Sequence, residues 1–277
     1  MHHGFYPTPD FKDHKAAQLL MIDRALEWAF GEGKGDSEKD QGMLKKAFSH
    51  IRTIIDVGCG VGGSSRHIIK RHAANGTTGV GISLSPYQVA RANQFTTAES
   101  LTSALHYNVA DATDMPFSEK SFDLVWSMES GEHMPDKERF MGELFRVATP
   151  GGRVLVVTWC HRELRPGETA LSDAELRLLA KINKAYFLPD WVPGSEYVRI
   201  ARSLGMKDVR SADWSEHVAP FWPAVMRSAF LRPRNFLRML FNPSVLHGAI
   251  ASWWMLRGFQ QGLVRFVLVT AQRPVAK

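Results

Sequence analysis

The sequence predicts an α/β fold, a largely parallel sheet with crossover helices on both faces. Three observations predict it. From residue 51 onward, short apolar runs alternate with amphipathic stretches of helical spacing. The first run ends in an acid and a turn with four glycines, Ile54-Ile55-Asp56-Val57-Gly58-Cys59-Gly60-Val61-Gly62-Gly63. Hydrophobic residues make up 44% of 277, enough for a full core. Glycines in a strand-to-helix turn admit positive φ and let a ligand approach bare N–H groups.

The elements follow in order. Residues 13–30 form an amphipathic helix, with Ala16, Leu19, Leu20, Ile22, Leu26, Ala29 and Phe30 on its stripe and Gly31 as its stop. Residues 31–42 read as a polar loop, the most flexible point of the first fifty residues. Strands are expected at 52–57, 78–83, 105–110, 122–127 and 153–159, with helices at 62–73, 86–98 and 136–148. Ser85-Pro86-Tyr87-Gln88 is a helix start, with Ser85 as N-cap and Gln88 closing a capping box. Thr149-Pro150-Gly151-Gly152 ends the third helix of this series and turns into the fifth strand. Ser172-Asp173-Ala174-Glu175 is a second capping box, opening a helix that runs to Phe187. A short helix over 195–204 stops at Gly205, and 206–214 and 263–272 read as two further strands. Pro220, Pro223, Pro233 and Pro243 break the segment between those strands into two or three short helices. No internal repeat or low-complexity segment is visible.

Composition excludes some functions. A net charge of +6 is too small to argue for nucleic acid. Cys59 and Cys160 form no disulfide framework, so a reducing compartment is the default. No run of 18 apolar residues and no signal or transit peptide is visible. The opening Met1-His2-His3-Gly4-Phe5-Tyr6 fits a mature or truncated form.

Gly58, Gly60 and Gly63 also satisfy the dinucleotide spacing G-x-G-x-x-G. Two features oppose a dinucleotide: the Asp56 carboxylate would repel a pyrophosphate, and the next strand ends in Ser83 instead of an acid for the ribose. No Gly-Lys-Ser/Thr follows, which disfavours a phosphate-binding P-loop. A ligand with a cationic amino group and no phosphate suits Asp56 better, and S-adenosylmethionine has an ammonium, a sulfonium and an adenosine. The bland alternative is a glycine-rich connector that binds nothing. Ligands in such sheets sit outside the carboxyl ends of the strands. Those ends carry Asp56, Ser83, Asp111-Ala112, Ser127-Met128-Glu129-Ser130 and Thr158-Trp159-Cys160-His161. Asp111 can accept from an adenine amino group or make an Asx turn; Ser83 and Gln88 can hold a ribose, or Gln88 can serve only as a cap.

The chain resembles a known family at several of these places. The glycine loop is similar to motif I of class I S-adenosylmethionine-dependent methyltransferases, and Val109-Ala110-Asp111-Ala112 with Met115-Pro116-Phe117 to their third-strand motif. Trp126-Ser127-Met128-Glu129-Ser130-Gly131-Glu132-His133-Met134-Pro135-Asp136, Val157-Thr158-Trp159-Cys160-His161-Arg162, Val218-Ala219-Pro220-Phe221-Trp222-Pro223-Ala224-Val225 and the opening His2-His3-Gly4-Phe5-Tyr6 resemble γ-tocopherol C-methyltransferases. Plant alkaloid N-methyltransferases share much of the pattern. The resemblance covers nearly the whole chain, although 227–260 matches loosely and the family's usual preceding helix is not part of this sequence.

The resemblance implies a Rossmann-like, mostly parallel seven-stranded sheet with the last strand antiparallel, and a helical cap. It divides the chain into an N-terminal helical lid, 1–50, and a methyltransferase domain, 51–277, with cap insertions near 160–205 and 219–260. It implies S-adenosylmethionine as cofactor, S-adenosylhomocysteine as product, and methyl transfer to the ring carbon of γ- and δ-tocopherol; an amine of an alkaloid is the alternative acceptor. The expected cofactor residues are Tyr6, Asp56, Gly58, Gly60, Gly62, Ser83, Gln88, Asp111, Ala112 and Ser127. Removing the phenol proton pushes electron density to the ortho carbon, so a base is expected near the fourth strand end. His133 is the first choice, with Glu129 or Glu132 to orient it, and the alternative for His133 is a helix-entry residue bonded to backbone. His161 and His217 are lesser candidates. No metal is expected, since methyl transfer to carbon needs none. The partner is an apolar phenolic small molecule, with no nucleic acid. Residues 219–260 invite two readings: Phe221, Trp222, Phe230, Phe236, Trp253 and Trp254 line an apolar pocket while Arg227, Arg232, Arg234 and Arg238 dock on anionic lipid, or the aromatics are core and the arginines a solvated face. The family implies a chloroplast location, with the cytoplasm as alternative. Oligomeric state is not legible.

Overall fold

The computed structural model describes residues 2–8, 10–31, 38–74, 76–223 and 243–275. Seven strands form one sheet: β1 (Thr53–Val57), β2 (Thr78–Ser83), β3 (Leu105–Val109), β4 (Phe122–Met128), β5 (Ala148–His161), β6 (Lys207–Asp213) and β7 (Val264–Gln272). Their spatial order is β3-β2-β1-β4-β5-β7-β6. The β1–β2, β2–β3, β1–β4 and β4–β5 pairs are parallel, and β7 runs antiparallel to both β5 and β6. Only the last strand is reversed, as the resemblance implies. The chain moves outward in opposite directions from β1 and β4, so the switch point lies between their carboxyl ends.

Alternation along the strands builds two cores. Ile54, Leu124, Trp126, Leu155, Val157, Phe266 and Leu268 belong to one. Ile55, Val125, Val154, Val156, Val267 and Val269 belong to the other. Successive strand residues face opposite sides, and both sides are apolar because helices cover both. On the first side lie α1 (His14–Phe30), α2 (Glu38–Phe48), α6 (Asp173–Tyr186) and α9 (Pro243–Gln260). On the second lie α5 (Lys137–Val147) and α7 (Gly194–Ser203). Helices α3 (Gly63–Arg71) and α4 (Pro86–Ala98) follow β1 and β2, and the short α8 (Ser215–Val218) follows β6.

The element boundaries depart from sequence expectation in two places. Residues 38–42, read as loop, begin α2: acids Glu38 and Asp40 in its first turn and Lys45 and Lys46 in its last complement the helix dipole. The remaining loop residues, 32–37, lie outside the described residues. Gly31 does end α1, but with φ −87°, so no left-handed cap requires it. The glycine answers to packing instead, because a Cβ there would lie 2.2 Å from Asp40 Oδ1. Strand β5 also starts earlier than expected, at Ala148, with a register shift between Phe122 and Leu124 on the facing strand. The capping box at Ser172 is present.

Helix α1 is tied to α3 by one carboxylate. Asp23 Oδ1 lies 2.7 Å from the Nε2 atoms of both His67 and His72, and Asp23 Oδ2 lies 3.1 Å from Arg71 Nε. Burial opposes ionisation of Asp23, but the hydrogen bonds and charges of the two histidines outweigh it and hold its pKa well below the usual carboxylate range. A depressed folded-state pKa contributes stability that is full above the unfolded carboxylate pKa and lost as pH falls below it. Asp23→Asn should therefore cost about 1–3 kcal/mol at neutral pH. In urea unfolding the gap between the two proteins should close as pH is lowered below about 4.

Candidate functional site

The loop after β1 is built around close approaches. Gly58 has φ +82°, and a Cβ there would lie 2.3 Å from Ser130 Cβ. Gly62 has φ +73°, and a Cβ there would lie 2.5 Å from Tyr107 Oη. Side chains at either position would prise the turn from β4 or β3 and strain the backbone. Ser130 locks the switch point further, donating to Val57 O at 2.9 Å and pairing with Ser127 Oγ at 2.6 Å.

Above this turn is a cavity of about 580 Å³. That volume is in the range of small-molecule sites. Asp56, Gly58, Gly60, Ser83, Gln88, Ala112, Glu129 and His133 all line it. Asp56 is 3% exposed and its Oδ2 accepts from Ser65 Oγ at 2.6 Å. Tyr107 Oη lies 3.2 Å from Ser65 Oγ, which extends the chain of polar groups to β3. Burial pushes the Asp56 carboxyl up to about 6, against the lowering effect of the Ser65 hydrogen bonds. Ser83 Oγ donates to Gln88 Oε1 at 2.8 Å and accepts from Ser85 N at 3.2 Å. Gln88 thus faces the strand end and closes no capping box: Ser85 Oγ caps Gln88 N, but the Gln88 side chain is held by Ser83.

Other expected residues lie elsewhere. Gly62 turns to Tyr107, away from the cavity lining. Ser127 is fully buried beneath Ser130, which takes the lining position. Asp111 is exposed, with Oδ1 accepting from Thr113 N at 2.7 Å and Thr113 Oγ1 at 2.8 Å; its neighbours Ala110 and Ala112 form the wall instead. Tyr6 is 3% exposed, and its hydroxyl lies 2.7 Å from His14 Nδ1. The preceding residues are anchored on α1, which directs Tyr6 between His14 and Phe11 and leaves His2 on the cavity wall. Glu132 points away from the cavity, accepting from Thr158 Oγ1 at 2.9 Å. Burial, then the charge of Glu129, pushes it up to about 8.

The orientation expected for His133 is also absent. No hydrogen bond joins it to Glu129 or Glu132, and it stands exposed on the wall. Partial desolvation, with Lys137 nearby, lowers its pKa. Glu129 holds His3 instead: its Oε2 lies 2.7 Å from His3 Nδ1, and its Oε1 accepts from His3 N. Trp159 Nε1 donates to the same carboxylate at 3.3 Å. Burial opposes ionisation of Glu129, but the charge and hydrogen bonds of His3 keep its pKa below the ordinary value. His161 bonds Arg162 O through Nδ1, and His217 stacks on Phe5 at 4.1 Å; neither lines the cavity.

Residues that the sequence reading passed over complete the wall. His2 comes from the N-terminal segment, and Lys15, Gln18, Leu19 and Ile22 come from α1. Gln18 Nε2 donates to His2 O at 2.6 Å and Phe5 N to Ala17 O at 2.9 Å. A Cβ on Gly4 would lie 2.5 Å from Ala17 Cβ, so the segment lies flat on the helix. The available signal was the i, i+4 spacing of Lys15, Leu19 and of Gln18, Ile22, which placed them on neighbouring turns without saying what covered them.

Comparisons with known proteins decide the family. A methyltransferase domain model matches residues 55–156. A chloroplastic tocopherol O-methyltransferase of Arabidopsis thaliana is 44% identical over 281 residues, 99% of this chain and 76% of its own length. The chain belongs to the tocopherol methyltransferase family. It is an S-adenosylmethionine-dependent methyltransferase. A norajmaline N-methyltransferase of Rauvolfia serpentina is 32% identical over 99% of this chain and 90% of its own. The fold is shared with a solved geranyl diphosphate C-methyltransferase from Streptomyces coelicolor A3(2), at a TM-score of 0.67 and 18% identity, covering 99% of this chain and 90% of that one.

The cavity fits this cofactor. A buried carboxylate stands where an ammonium needs a partner, hydroxyl and amide groups stand one strand over, and Ile82, Leu84 and Ala110 offer apolar wall for a base. An ammonium against Asp56 would restore its ionised form, so binding of S-adenosylhomocysteine below pH 6 should release a proton. Calorimetric titration should show constant affinity above about pH 7 and a loss approaching tenfold per pH unit well below 6. Asp56→Ala should weaken binding by about 10- to 100-fold at pH 7.5.

Proposed function

We propose that this methyltransferase transfers the methyl group to the ring carbon ortho to the hydroxyl of γ-tocopherol, and of δ-tocopherol, giving α- and β-tocopherol. The observation that carries it is 44% identity to a tocopherol methyltransferase along nearly the whole chain, beyond the cofactor core. That relative's name puts the methyl on oxygen. Carbon and oxygen attack start from the same hydroxyl and differ in which atom is held in line with the methyl at about 3–3.5 Å.

When bound, S-adenosylmethionine supplies a methyl group activated on a sulfonium and leaves as S-adenosylhomocysteine. In this reading Asp56 holds the ammonium, Gly58 and Gly60 leave room for the nucleoside, Ser83 and Gln88 hold the ribose, and Ala110 and Ala112 wall the adenine. The N-terminal residues 1–50 act as a lid in that their described part supplies a wall of the cavity. Glu129, at the end of β4, marks the side on which the acceptor lies.

An apolar acceptor is drawn from lipid. No helix among the described residues is long and apolar enough to cross a membrane. Docking in this reading uses α9, where Leu246, Ile250 and Trp253 are exposed at i, i+4 and i+7 spacing, aided by the positive net charge of +6. Phe221 and Trp222 pack around His3 in the interior, and Trp254 stacks under Lys181. Phe230, Phe236, Arg227, Arg232, Arg234 and Arg238 lie outside the described residues. The relative's chloroplast location is proposed for this chain too.

The alkaloid relative supports amine methylation as a second reading. Radiolabelled methyl transfer against γ-tocopherol, δ-tocopherol and a panel of alkaloid amines separates them. The expected product keeps an ionisable phenol. A methyl ether would overturn the carbon assignment, and turnover confined to amines would overturn the acceptor. Separately, the double change Ile250→Asp with Trp253→Asp should lower co-sedimentation with anionic phospholipid vesicles by more than about fivefold, as expected from loss of two buried apolar anchors. Unchanged co-sedimentation would remove α9 as the docking face.

A further inference from the structure

Three metal-ligating side chains from two helices meet where α1 crosses α3. Asp23 stands in the middle of α1, His67 lies within α3, and His72 is the residue that caps α3. The Nε2 atoms of both histidines lie 2.7 Å from the same carboxylate oxygen, Asp23 Oδ1. The ligand atoms of the three residues all lie within 4.8 Å of one another. The two imidazole rings stand at 79° with centroids 6.1 Å apart, so their Nε2 corners reach that oxygen from different directions. The His72 ring is braced by Phe48, 5.5 Å away. The three side chains are half-buried, sheltered but within reach of an ion from solvent.

Hydrogen bonding alone does not require this set. Arg71 Nε on Oδ2 and one histidine on Oδ1 would already give each oxygen a donor. The second imidazole on Oδ1 completes a two-nitrogen, one-oxygen donor set. Zinc takes such donors at about 2.0–2.2 Å in a tetrahedron, which separates the donor atoms by about 3.3–3.5 Å. Opening each 2.7 Å contact by less than about 1 Å therefore admits the ion. Arg71 holds the other carboxylate oxygen and is mostly exposed, so it does not occupy the gap. Glu27, one turn further along α1, adds a second carboxylate whose charge reaches both Asp23 and His72. Two imidazoles and one carboxylate suit zinc and its neighbours, whereas calcium and magnesium need more oxygens and copper(I) prefers sulfur.

We propose that Asp23, His67 and His72 bind a zinc-class divalent ion, with water in the fourth position, and that the ion clamps α1 to α3. Each imidazole coordinates through the Nε2 lone pair and keeps its proton on Nδ1. None of the three residues lines the cavity, so the ion takes no part in methyl transfer. Its role is structural. Lys15, Gln18, Leu19 and Ile22 of α1 and Gly63 and Ser64 of α3 form parts of one cavity wall, and the clamp fixes those two parts against each other.

The test uses the full chain without an affinity tag, stripped by a chelator that is then removed. Cobalt(II) is the spectroscopic probe and zinc the competitor. One equivalent of cobalt should give the visible absorption of a four-coordinate site, and one equivalent of zinc should displace it with a Kd of about 1 μM or tighter. His67→Gln and His72→Gln should each weaken zinc binding by about 100-fold or more, while His106→Gln on β3 should leave it unchanged. Zinc at 100 times its Kd should raise the wild-type melting temperature by about 5 °C or more. His67→Cys should retain one cobalt and add a thiolate-to-cobalt charge-transfer band, which arises only where the replaced residue is a ligand. The wild-type titration decides even if a variant fails to fold: no cobalt absorption, or zinc binding only at millimolar concentration, overturns the site. Cobalt absorption that survives in both His67→Gln and His72→Gln, or a folded His67→Cys protein without the new band, overturns the assignment of these ligands.

Discussion

A carboxylate buried at the end of β1 sets the terms for the rest of the molecule. Asp56 is 3% exposed, and its hydrogen-bond partner in the folded chain is a serine hydroxyl. Left so, burial raises its pKa and weakens its charge. The surrounding turn cannot relieve this by relaxing, because it is pinned to β3 through Tyr107 and to β4 through Ser130. The first strand therefore ends in a rigid, under-compensated acid at the one place where the sheet parts in two directions. A cation is the natural complement.

The strand-end half of the cavity was legible in the sequence because it is local. Asp56, Gly58, Gly60, Ser83, Gln88 and Ala112 lie within a few residues of a strand end, and parallel strands bring their ends to one edge without further information. Periodicity and capping residues fixed most of the elements for the same reason. Helix α2 was missed because its apolar positions are few and its first half is charged; its place depends on Leu44 and Phe48 joining a core assembled from distant strands. Gly31 was read as the stop of α1, which it is, and it also lets Asp40 come close.

The remainder of the cavity wall was less legible because it is assembled across the chain. Glu129 and His3 are separated by 126 positions, and nothing in the strand-end pattern joins them. Proximity in sequence favoured His133 and Glu132, yet one turn of 3-10 helix over Gly131–His133 sends Glu132 into the interior and His133 outward. The Lys137 ammonium fixes that turn, donating to the carbonyls of Gly131 and Met134. Asp111 and Tyr6 illustrate the same limit: each could meet a ligand by type, but Thr113 and His14 lie nearer.

The flat seating of Gly4 on Ala17 reaches further than local packing. Those two small residues set the height of the N-terminal segment above α1, and with it how far His2 extends over the sheet edge. The polar groups at the strand ends belong to the sheet and do not depend on that height. Trading volume at that one contact would therefore change the room above the strand ends while the strand-end groups themselves stay in place.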